Sequence, residues 1–315
     1  MKYMRKLSSK LLLALGVIIT GVIVWQVLVS KRVINDTITI KQVQSIEQMH
    51  DLLKNRELKS YKAVPCHPFS TIRLNGVDTH ILKGNQYAIY VNDYYKRYIE
   101  IVQNGDELLI NYLDKENYTH DIPVFIFMPE DPQSVYYTFL NGIFSRNHKI
   151  YGFKGDNTLI FCEGFYFNVS TDMPYVNINQ KDNNLNLHIS GLDSTLRINN
   201  VQINVIAENS RFHLDDKISD SVNMNIQLQK SNISSLNVNP HAKVGTLSLK
   251  GTLRGKENNR DSKDMEIHYP GQCDSLIIQL AGDPGNARQL LLSKDLSGRF
   301  EDINCSENVV IIREE

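Results

Sequence analysis

Residues 167–253 decide the fold, because they contain short runs such as Val176-Asn177-Ile178-Asn179 and Leu185-Asn186-Leu187-His188-Ile189, in which apolar and polar residues alternate. A period of two places Leu, Ile and Val on one face of a strand and Asn, Gln and Ser on the other, as in strands half buried against a core. Turn residues such as Asp182-Asn183-Asn184 separate the runs. Short runs with turns between them predict an all-β chain, a solenoid built as a stack of β-rungs.

The composition argues against several classes of protein. The chain has 315 residues, of which 34 are basic and 35 acidic, so its net charge is close to zero. After the first ten residues, the basic residues form no cluster that would neutralise a run of phosphates, so we do not expect nucleic acid as a partner. A hydrophobic content of 42% argues against a disordered chain.

An apolar segment precedes the β-rich sequence. Residues 11–29 carry no charge and are about long enough to cross a hydrocarbon core as a helix. The bulky Val27-Leu28-Val29 does not fit the small-residue cleavage site of a signal peptide, which favours a signal-anchor. Four basic residues among the first ten precede the segment, whereas only Lys31 and Arg32 closely follow it. We therefore expect a single-pass membrane protein with its N-terminus in the cytoplasm and its bulk on the periplasmic side. A buried core helix is the alternative.

The chain divides into five predicted segments. These are a cytoplasmic tail (1–10), a transmembrane helix (11–29), a stalk with a short helix (30–64), the β-solenoid (65–253), and a charged loop followed by terminal rungs or a cap (254–315). The helix in this segment is predicted from Val43, Ile46, His50 and Leu53, which stand at helical spacing. It is interpreted either as a stalk or as a helix lying on the domain. Near the start of the solenoid, Asn75-Gly76 predicts a hairpin.

The strand and turn pattern of residues 64–253 resembles a known family. The resemblance is carried by Phe69, Ile72, Leu74 and Gly76, by a strand near residues 88–91, by Ile99-Glu100-Ile101 and the Asn104-Gly105 turn, by Leu108-Leu109-Ile110, and by Val124, Ile126 and Met128-Pro129. This pattern is similar to that of the GIN domain, the head domain of auto-transporter adhesins of Bacteroidetes-type bacteria. The resemblance implies a stack of β-rungs with a right-handed path on a secreted or membrane-attached protein. The Gly-Ile-Asn triplet does not occur in this sequence.

The sequence contains no pattern that indicates catalysis. Enzymes that cleave acidic glycans on a β-helix need two or three carboxylates at one groove. Asp215-Asp216 is the only adjacent acidic pair in residues 167–253, and we interpret it as a turn. The histidines lack the H-x-x-x-H and H-E-x-x-H spacings of helical metal sites. We therefore expect no catalytic residues, no cofactor and no metal.

The outward face of the repeat region is rich in uncharged Asn and is the candidate ligand surface. The candidate ligand residues are Asn177, Asn179, Asn186, Asn223 and Asn225, and the same outward face includes Asn199 and Asn204. Stacked Asn side chains stiffen a β-solenoid, which is the structural interpretation of the pattern, and a flat polar face also binds glycans. Aromatic residues concentrated in residues 134–162 either pack in the core and shield a sheet edge or offer a stacking platform for carbohydrate.

The four cysteines are Cys66, Cys162, Cys273 and Cys305. They are spaced too widely for a C-x-x-C metal or redox motif. Outside the membrane they are open to oxidation, and three pairings are possible. Because Cys273 and Cys305 have the shortest separation, we predict a disulfide between them.

Together these features predict a membrane-anchored, extracytoplasmic β-solenoid that acts as a non-enzymatic, adhesin-like binding or scaffold surface in the bacterial cell envelope. The expected partners are the membrane and a glycan or an envelope protein. The alternative is an envelope polysaccharide lyase or glycoside hydrolase on the same fold, and the sequence leaves the oligomeric state open.

Overall fold

The computed structural model describes residues 2–113, 123–139, 146–193, 195–254, 265–282 and 287–314. The helices are α1 (Lys2–Gln42) and α2 (Ile46–Lys54), and a short 3-10 helix covers Lys96–Tyr98. The strands of the first half are β1 (Tyr61–Val64), β2 (Thr71–Asn75), β3 (Thr79–Lys83), β4 (Ala88–Asn92), β5 (Ile99–Asn104), β6 (Glu107–Tyr112), β7 (Val124–Met128), β8 (Ser134–Phe139), β9 (Arg146–Tyr151), β10 (Leu159–Gly164) and β11 (Tyr166–Thr171). Those of the second half are β12 (Tyr175–Lys181), β13 (Asn184–Ile189), β14 (Val201–Glu208), β15 (Arg211–Asp216), β16 (Ser221–Asn237), β17 (Lys243–Leu253), β18 (Met265–His268), β19 (Gln272–Ala281), β20 (Arg288–Leu292), β21 (Ser297–Cys305) and β22 (Val309–Arg313).

The strands stack as rungs, each of which contributes one strand to each of two sheets. The first sheet contains, in spatial order, β6, β2, β8, β10, β12, β14, the first half of β16, β17, β19 and β21. The second sheet contains β7, β3, β9, β11, β13, β15, the second half of β16, β18, β20 and β22. All of these pairings are parallel. The predicted stack of short strands is therefore present, and its handedness stays a prediction.

The N-terminal end of the stack is antiparallel. Strand β5 pairs with β6, and β4 lies between β1 and β7, in each case antiparallel. The turn at Asn104-Gly105 joins β5 to β6 as a hairpin, and Gly105 has a positive φ of 62°. By contrast, the predicted hairpin at Asn75-Gly76 is wrong, because β2 and β3 belong to different sheets. Gly76, with a φ of 67°, turns the chain from the first sheet into the second.

Alternation of side chains along each strand builds the core between the sheets. Val176 and Ile178 are buried, whereas the intervening Asn177 points outward. A fully buried Val, Leu or Ile stabilises a fold by about 1.5–3 kcal/mol, so the rungs depend on this inner face. One core cluster extends from Phe69 to Val309. Strands β18 to β22 thus continue the stack beyond residue 254. The charged loop predicted at the start of this segment falls at residues 255–264, outside the described residues.

Helix α1 continues without a break from the predicted transmembrane segment into the predicted stalk. Within it, Ala14–Gln42 is long and apolar enough to cross a membrane, and none of its apolar window is buried in the protein. Leu15, Val22 and Trp25 each expose more than half of their surface. This exposure argues against the alternative of a buried core helix.

The end of α1 and helix α2 pack against the second sheet, which corresponds to the alternative of a helix lying on the domain. A separate apolar cluster joins the two helices to the outer face of that sheet, through Val43, Met49 and Leu53 on one side and Phe125 and Phe127 on the other. Ser45 caps the N-terminus of α2 by accepting the Gln48 N–H at 3.1 Å. The helix predicted in this segment is therefore present, but as part of the domain.

A buried carboxylate fixes the end of α1 to the domain. Asp36 is 6% exposed, and its Oδ2 accepts the Ser60 backbone N–H at 2.8 Å and also the Ser60 hydroxyl. The Ser60 Oγ in turn accepts the Asn92 side-chain amide at 3.0 Å. These bonds hold α1 at the edge of the second sheet, where β1 pairs with β4.

The predicted disulfide between Cys273 and Cys305 is wrong, since both are free cysteines. The register between β19 and β21 places Cys273 opposite Gly298 and Cys305 opposite Leu280. From Cys273 to Leu280 the strand extends about 23 Å at roughly 3.3 Å per residue. A disulfide requires a Cα–Cα distance of about 4.4–6.8 Å, so these two cysteines cannot form one.

The docking of α1 gives a first prediction. Replacing Asp36 by Ala leaves the buried Ser60 N–H without its acceptor, at a cost of about 1–3 kcal/mol. We expect the amides at the C-terminal end of α1 to exchange with solvent at least about tenfold faster in the solubilised chain, as measured by hydrogen exchange. Asn35→Ala is the matched control, because Asn35 is the exposed neighbour and loses a side chain of similar size. Equal exchange in both variants would contradict the assigned role.

The free cysteines give a second prediction. Titration of the unreduced, unfolded chain with a thiol reagent should find four thiols. In the native chain Cys162 and Cys273 should react slowly, because both are buried and burial raises the pKa of the Cys273 thiol to about 11. A count of only two thiols after unfolding would show that a disulfide is present, contrary to the register between β19 and β21.

Candidate ligand-binding face

The five predicted Asn residues do not share one face. Asn177 and Asn179 lie on β12, and Asn223 and Asn225 lie on β16, all in the first sheet. Asn186 lies on β13, in the second sheet. The prediction of a single Asn face is corrected on this point, because each coil of the chain contributes a strand to both sheets.

Several of these Asn side chains are engaged in ladders between rungs. In the first sheet, Asn204 Nδ2 donates to Asn177 Oδ1 at 2.9 Å and Asn225 Nδ2 donates to Asn204 Oδ1 at 3.4 Å. In the second sheet, Asn186 Nδ2 donates to Asn168 Oδ1 at 2.8 Å, and Asn168 Nδ2 donates to its neighbour in β9 at 3.0 Å. The ladders support the structural interpretation of the Asn pattern.

Asn223 supports an irregularity of the first sheet. The pairing of β16 with β17 shifts register between Val222 and Met224. At this point the Asn223 Oδ1 accepts the Thr246 backbone N–H at 2.9 Å. A bulge leaves a backbone donor outside the regular ladder, and the Asn side chain supplies its acceptor. Asn223 is therefore a structural residue.

A column of stacked side chains lies beside the Asn ladder of the first sheet. The Arg73 guanidinium lies 4.0 Å from the centroid of the Tyr136 ring, and the rings of Tyr136 and Phe161 stack at 4.5 Å with an interplanar angle of 5°. Arg73 also pairs with Glu107 at 2.8 Å. Because both faces of the Tyr136 ring are covered by neighbours, this ring does not offer a stacking face to a sugar.

Two adjoining hollows form a shallow groove along the outer face of the first sheet, which we call the first-sheet groove. One has a volume of about 400 Å³ and the other of about 410 Å³, and both include Ile206, which is 43% exposed. Besides Ile206, the residues that line the two hollows and point outward are Tyr136, Thr138, Phe161, Glu163, Asn179, Lys181, Asn204, Glu208, Asn225, Gln227, Gln229, Ser248 and Lys250. Neutral amides therefore dominate its floor, with charged residues at its margins.

The sequence-based prediction identified part of this groove and missed the rest. It named Asn179 and Asn225 but not Gln227 or Lys250, which lie in register with Asn179 through Ile206. The alternation of β16 and β17 marks these positions as outward-facing. The length of each coil determines which outward residues of different strands lie in register. The turns set this length, and the alternation of residues along a strand does not specify the turns.

The carboxylates of the groove are exposed and lie at one margin. Glu163, Lys181 and Glu208 follow one another in register across three rungs at one margin. Lys181 Nζ lies 3.9 Å from Glu208 Oε1, and both side chains are more than half exposed. A general acid usually lies in a buried, apolar environment, whereas Glu163 and Glu208 are both exposed. Among the residues that the structure describes, no three His, Cys, Asp or Glu side chains converge as metal ligands.

The pair Asp215-Asp216 is the end of a strand rather than the predicted turn. Asp215 points outward and pairs with Lys217 at 3.0 Å. Asp216 points inward, is 4% exposed, and accepts the backbone N–H groups of Ile218 and Ser219. The two carboxylates thus lie on opposite faces and do not act together.

A second cavity, of about 270 Å³, lies between the end of α1 and the second sheet. Thr37 and Lys41 line it from the helix, and His80, Asn168 and Ser170 line it from the sheet. His80 is 7% exposed, and burial together with nearby Lys149 and His148 lowers its pKa well below the ordinary value. A neutral His80 is compatible with the apolar helix–sheet contact around it, so we assign this cavity to the docking of α1.

Asp172, at the corner between β11 and β12, has an unusual carboxyl group. Burial raises its pKa from 3.8 to about 6, although its Oδ1 accepts the Gly152 N–H at 2.7 Å. Because the pKa is higher in the folded than in the unfolded chain, protonation stabilises the fold. This stabilisation is complete below about pH 3.8 and is lost as the pH rises through about 6.

A third prediction follows for Asp172. Asp172→Asn keeps the acceptor for Gly152 but removes the buried charge, so the free energy of unfolding at pH 7 should rise by up to about 3 kcal/mol. At pH 4 the two proteins should be nearly equally stable. Denaturant unfolding between pH 4 and 8 measures both values, with Asp156→Asn as the exposed control. A stabilisation that does not depend on pH would contradict the assignment.

Comparison with known proteins gives only distant matches. No family model matches the chain, and no curated protein matches it. A solved structure described as a "putative adhesin" from Parabacteroides distasonis has a TM-score of 0.46 at 12% identity, over 80% of this chain and 96% of that chain. A second, from Parabacteroides merdae, has a TM-score of 0.44 at 10% identity, over 81% and 96% of the two chains. A third, from Bacteroides fragilis, has a TM-score of 0.38 at 11% identity, over 80% and 96%. Likeness at this level carries no inference about function, and membership of the GIN family stays a prediction.

Proposed function

We propose that this chain is a single-pass membrane protein whose β-stack presents a non-enzymatic, adhesin-like binding surface on the outer side of the membrane in the bacterial cell envelope. The single observation that carries the proposal is the first-sheet groove, an open and mostly uncharged channel that crosses successive rungs. Helix α1 supplies the anchor.

The chemistry of the groove favours an extended, neutral, polar ligand such as a glycan chain. Asn179 and Gln227 offer both donors and acceptors, which is what a string of sugar hydroxyls needs. Ile206, between them in register, offers an apolar contact for the ring carbons. Because the groove crosses strands that repeat about every 4.8 Å, it presents one outward side chain per rung at regular intervals along a polymer.

The orientation of the anchor follows from charge. Basic residues are more frequent before the apolar part of α1 than after it, which favours a cytoplasmic N-terminus. The β-stack then lies on the far side of the membrane, where an envelope glycan or a protein of the envelope would meet the groove.

One observation favours the enzymatic alternative. Glu163 and Glu208 lie two rungs apart in register, about 10 Å at the usual strand spacing, with Lys181 between them. The carboxylates of inverting glycosidases are separated by about 6.5–9.5 Å. Exposure and the ion pair with Lys181 count against a general acid here, so a polysaccharide lyase or hydrolase is the second candidate.

A fourth prediction tests the groove. The full chain in detergent should bind a subset of neutral glycans on an array, and Gln227→Ala should weaken that binding about tenfold or more, or about 1.4 kcal/mol. Gln289→Ala is the matched control, since Gln289 is exposed on the second sheet. Equal effects of both substitutions, or no glycan binding at all, would contradict the proposal.

A parallel measurement separates the two candidates. The same glycans are incubated with the protein, and new reducing ends and unsaturated products are measured. We expect none. Release that is abolished by Glu163→Gln or Glu208→Gln would replace the binding surface by the enzyme.

A further inference from the structure

The turn after β4 lies where α1 leaves the domain. This turn, residues 93–98, has the sequence Asp-Tyr-Tyr-Lys-Arg-Tyr. Its first residue, Asp93, donates its backbone N–H to the Ser60 carbonyl at 2.6 Å. Ser60 is also the residue whose N–H and hydroxyl are bound by Asp36 of α1. One residue thus connects the turn to the helix.

The direction of α1 places the turn on the membrane side of the domain. Lys41 lines the cavity beside Asn168 and Ser170 of β11, well inside the second sheet. Asp36, one turn and a half earlier, lies at the edge where β1 pairs with β4. None of residues 14–35 is buried, whereas Asp36 is, so the helix leaves the domain at Asp36, beside this edge.

The turn lies close to the expected membrane boundary. The predicted transmembrane segment ends at Val29, and the helix is unbroken from there to Asp36. At about 1.5 Å per residue, this distance is about 10 Å along the helix axis. The headgroup layer on each side of a bilayer is roughly 5–8 Å thick, so Asp36 and the adjoining turn lie near its outer limit. Any tilt of the helix brings them closer.

The side chains of the turn suit an interface of lipid headgroups. Tyr94 is 46% exposed, and its ring meets the Tyr95 ring edge-on at 5.1 Å between centroids. Lys96 and Arg97 are exposed, and the Arg97 guanidinium lies 4.6 Å from the Tyr98 ring centroid. Tyr rings concentrate at membrane interfaces because they are apolar with one polar end, and basic side chains near the surface are attracted by anionic lipids.

We propose that residues 93–98 form a second membrane contact, with the Tyr rings at headgroup level and Lys96 and Arg97 on anionic lipid headgroups. Lys31 and Arg32, just beyond the apolar part of α1, add to the same positive layer. This inference rests on the proposed function, because it requires α1 to span the membrane. Anchored at two places, the β-stack has a fixed inclination to the bilayer and does not swing on its helix.

Tryptophan fluorescence in vesicles tests the contact, because the chain contains one Trp, Trp25, in the apolar part of α1. The full chain is reconstituted into vesicles of phosphatidylcholine and phosphatidylglycerol in which part of the lipid is brominated at shallow acyl positions. The reporter is Tyr94→Trp in a Trp25→Phe background. We expect at least a twofold loss of its fluorescence on bromination. Tyr175→Trp in the same background is the control, as Tyr175 is an exposed tyrosine of β12, and should lose none.

The lipid preference is tested with the same reporter. Adding Lys96→Gln and Arg97→Gln to the Tyr94→Trp reporter should reduce its quenching in vesicles that contain phosphatidylglycerol. These are exposed side chains, so the fold should persist, as circular dichroism will check.

The outcomes distinguish the membrane anchor in α1 from the second membrane contact at residues 93–98. Quenching of native Trp25 by deeply brominated lipid, without quenching of the Tyr94→Trp reporter, would retain the anchor and overturn the second contact. Absence of Trp25 quenching would overturn the anchor and the contact together. Equal quenching of the reporters at positions 94 and 175 would also overturn the contact, because the stack would then lie on the membrane along its length.

Discussion

Parallel hydrogen bonding between successive rungs is the constraint on which the rest of the structure depends. In an isolated rung, the inward residues would be covered only by the rung's own two strands. The backbone N–H and C=O groups at both edges of these strands would be unpaired. Stacking pairs those groups and encloses the apolar residues at the same time, so neither process is complete without the other. For this reason one core cluster extends from Phe69 to Val309 without a division. The outward side chains are free to vary, within the limits set by rung spacing, and they carry the ladders and the first-sheet groove.

Much of the fold could be predicted from the alternation of residue types. The runs at residues 176–189 are strands with the expected inward and outward sides. The helical spacing of Val43, Ile46 and Leu53 correctly indicated α2, with Val43 just before its first residue. The long apolar segment is helical and exposed. In these cases the sequence signal is local, because the spacing of apolar residues within a strand or a helix indicates which of its faces is buried.

The failed predictions of the hairpin, the disulfide and the single Asn face all required the register between distant segments. Asn75-Gly76 indicated a tight turn, but not whether the strands on either side would pair with each other. Cys273 and Cys305 are close in sequence, yet they lie at opposite ends of neighbouring strands. Asn186 shares the alternating pattern of Asn177 but belongs to the other sheet. The attachment of Asp36 to Ser60 had no local signal either, since an acidic residue in a helix is normally solvated.

The rung formed by β2 and β3 lies between the rung of β6 and β7 and the rung of β8 and β9. Spatial order and chain order thus differ at this end of the molecule, whereas from β8 onward they agree. During synthesis these early strands cannot stack one after another. The rung of β2 and β3 needs a neighbouring rung on each side, and both neighbours are synthesised later. Loop closure over these separations opposes the assembly, so we expect this end to be the slow step of folding, while the remaining coils add quickly once a template exists.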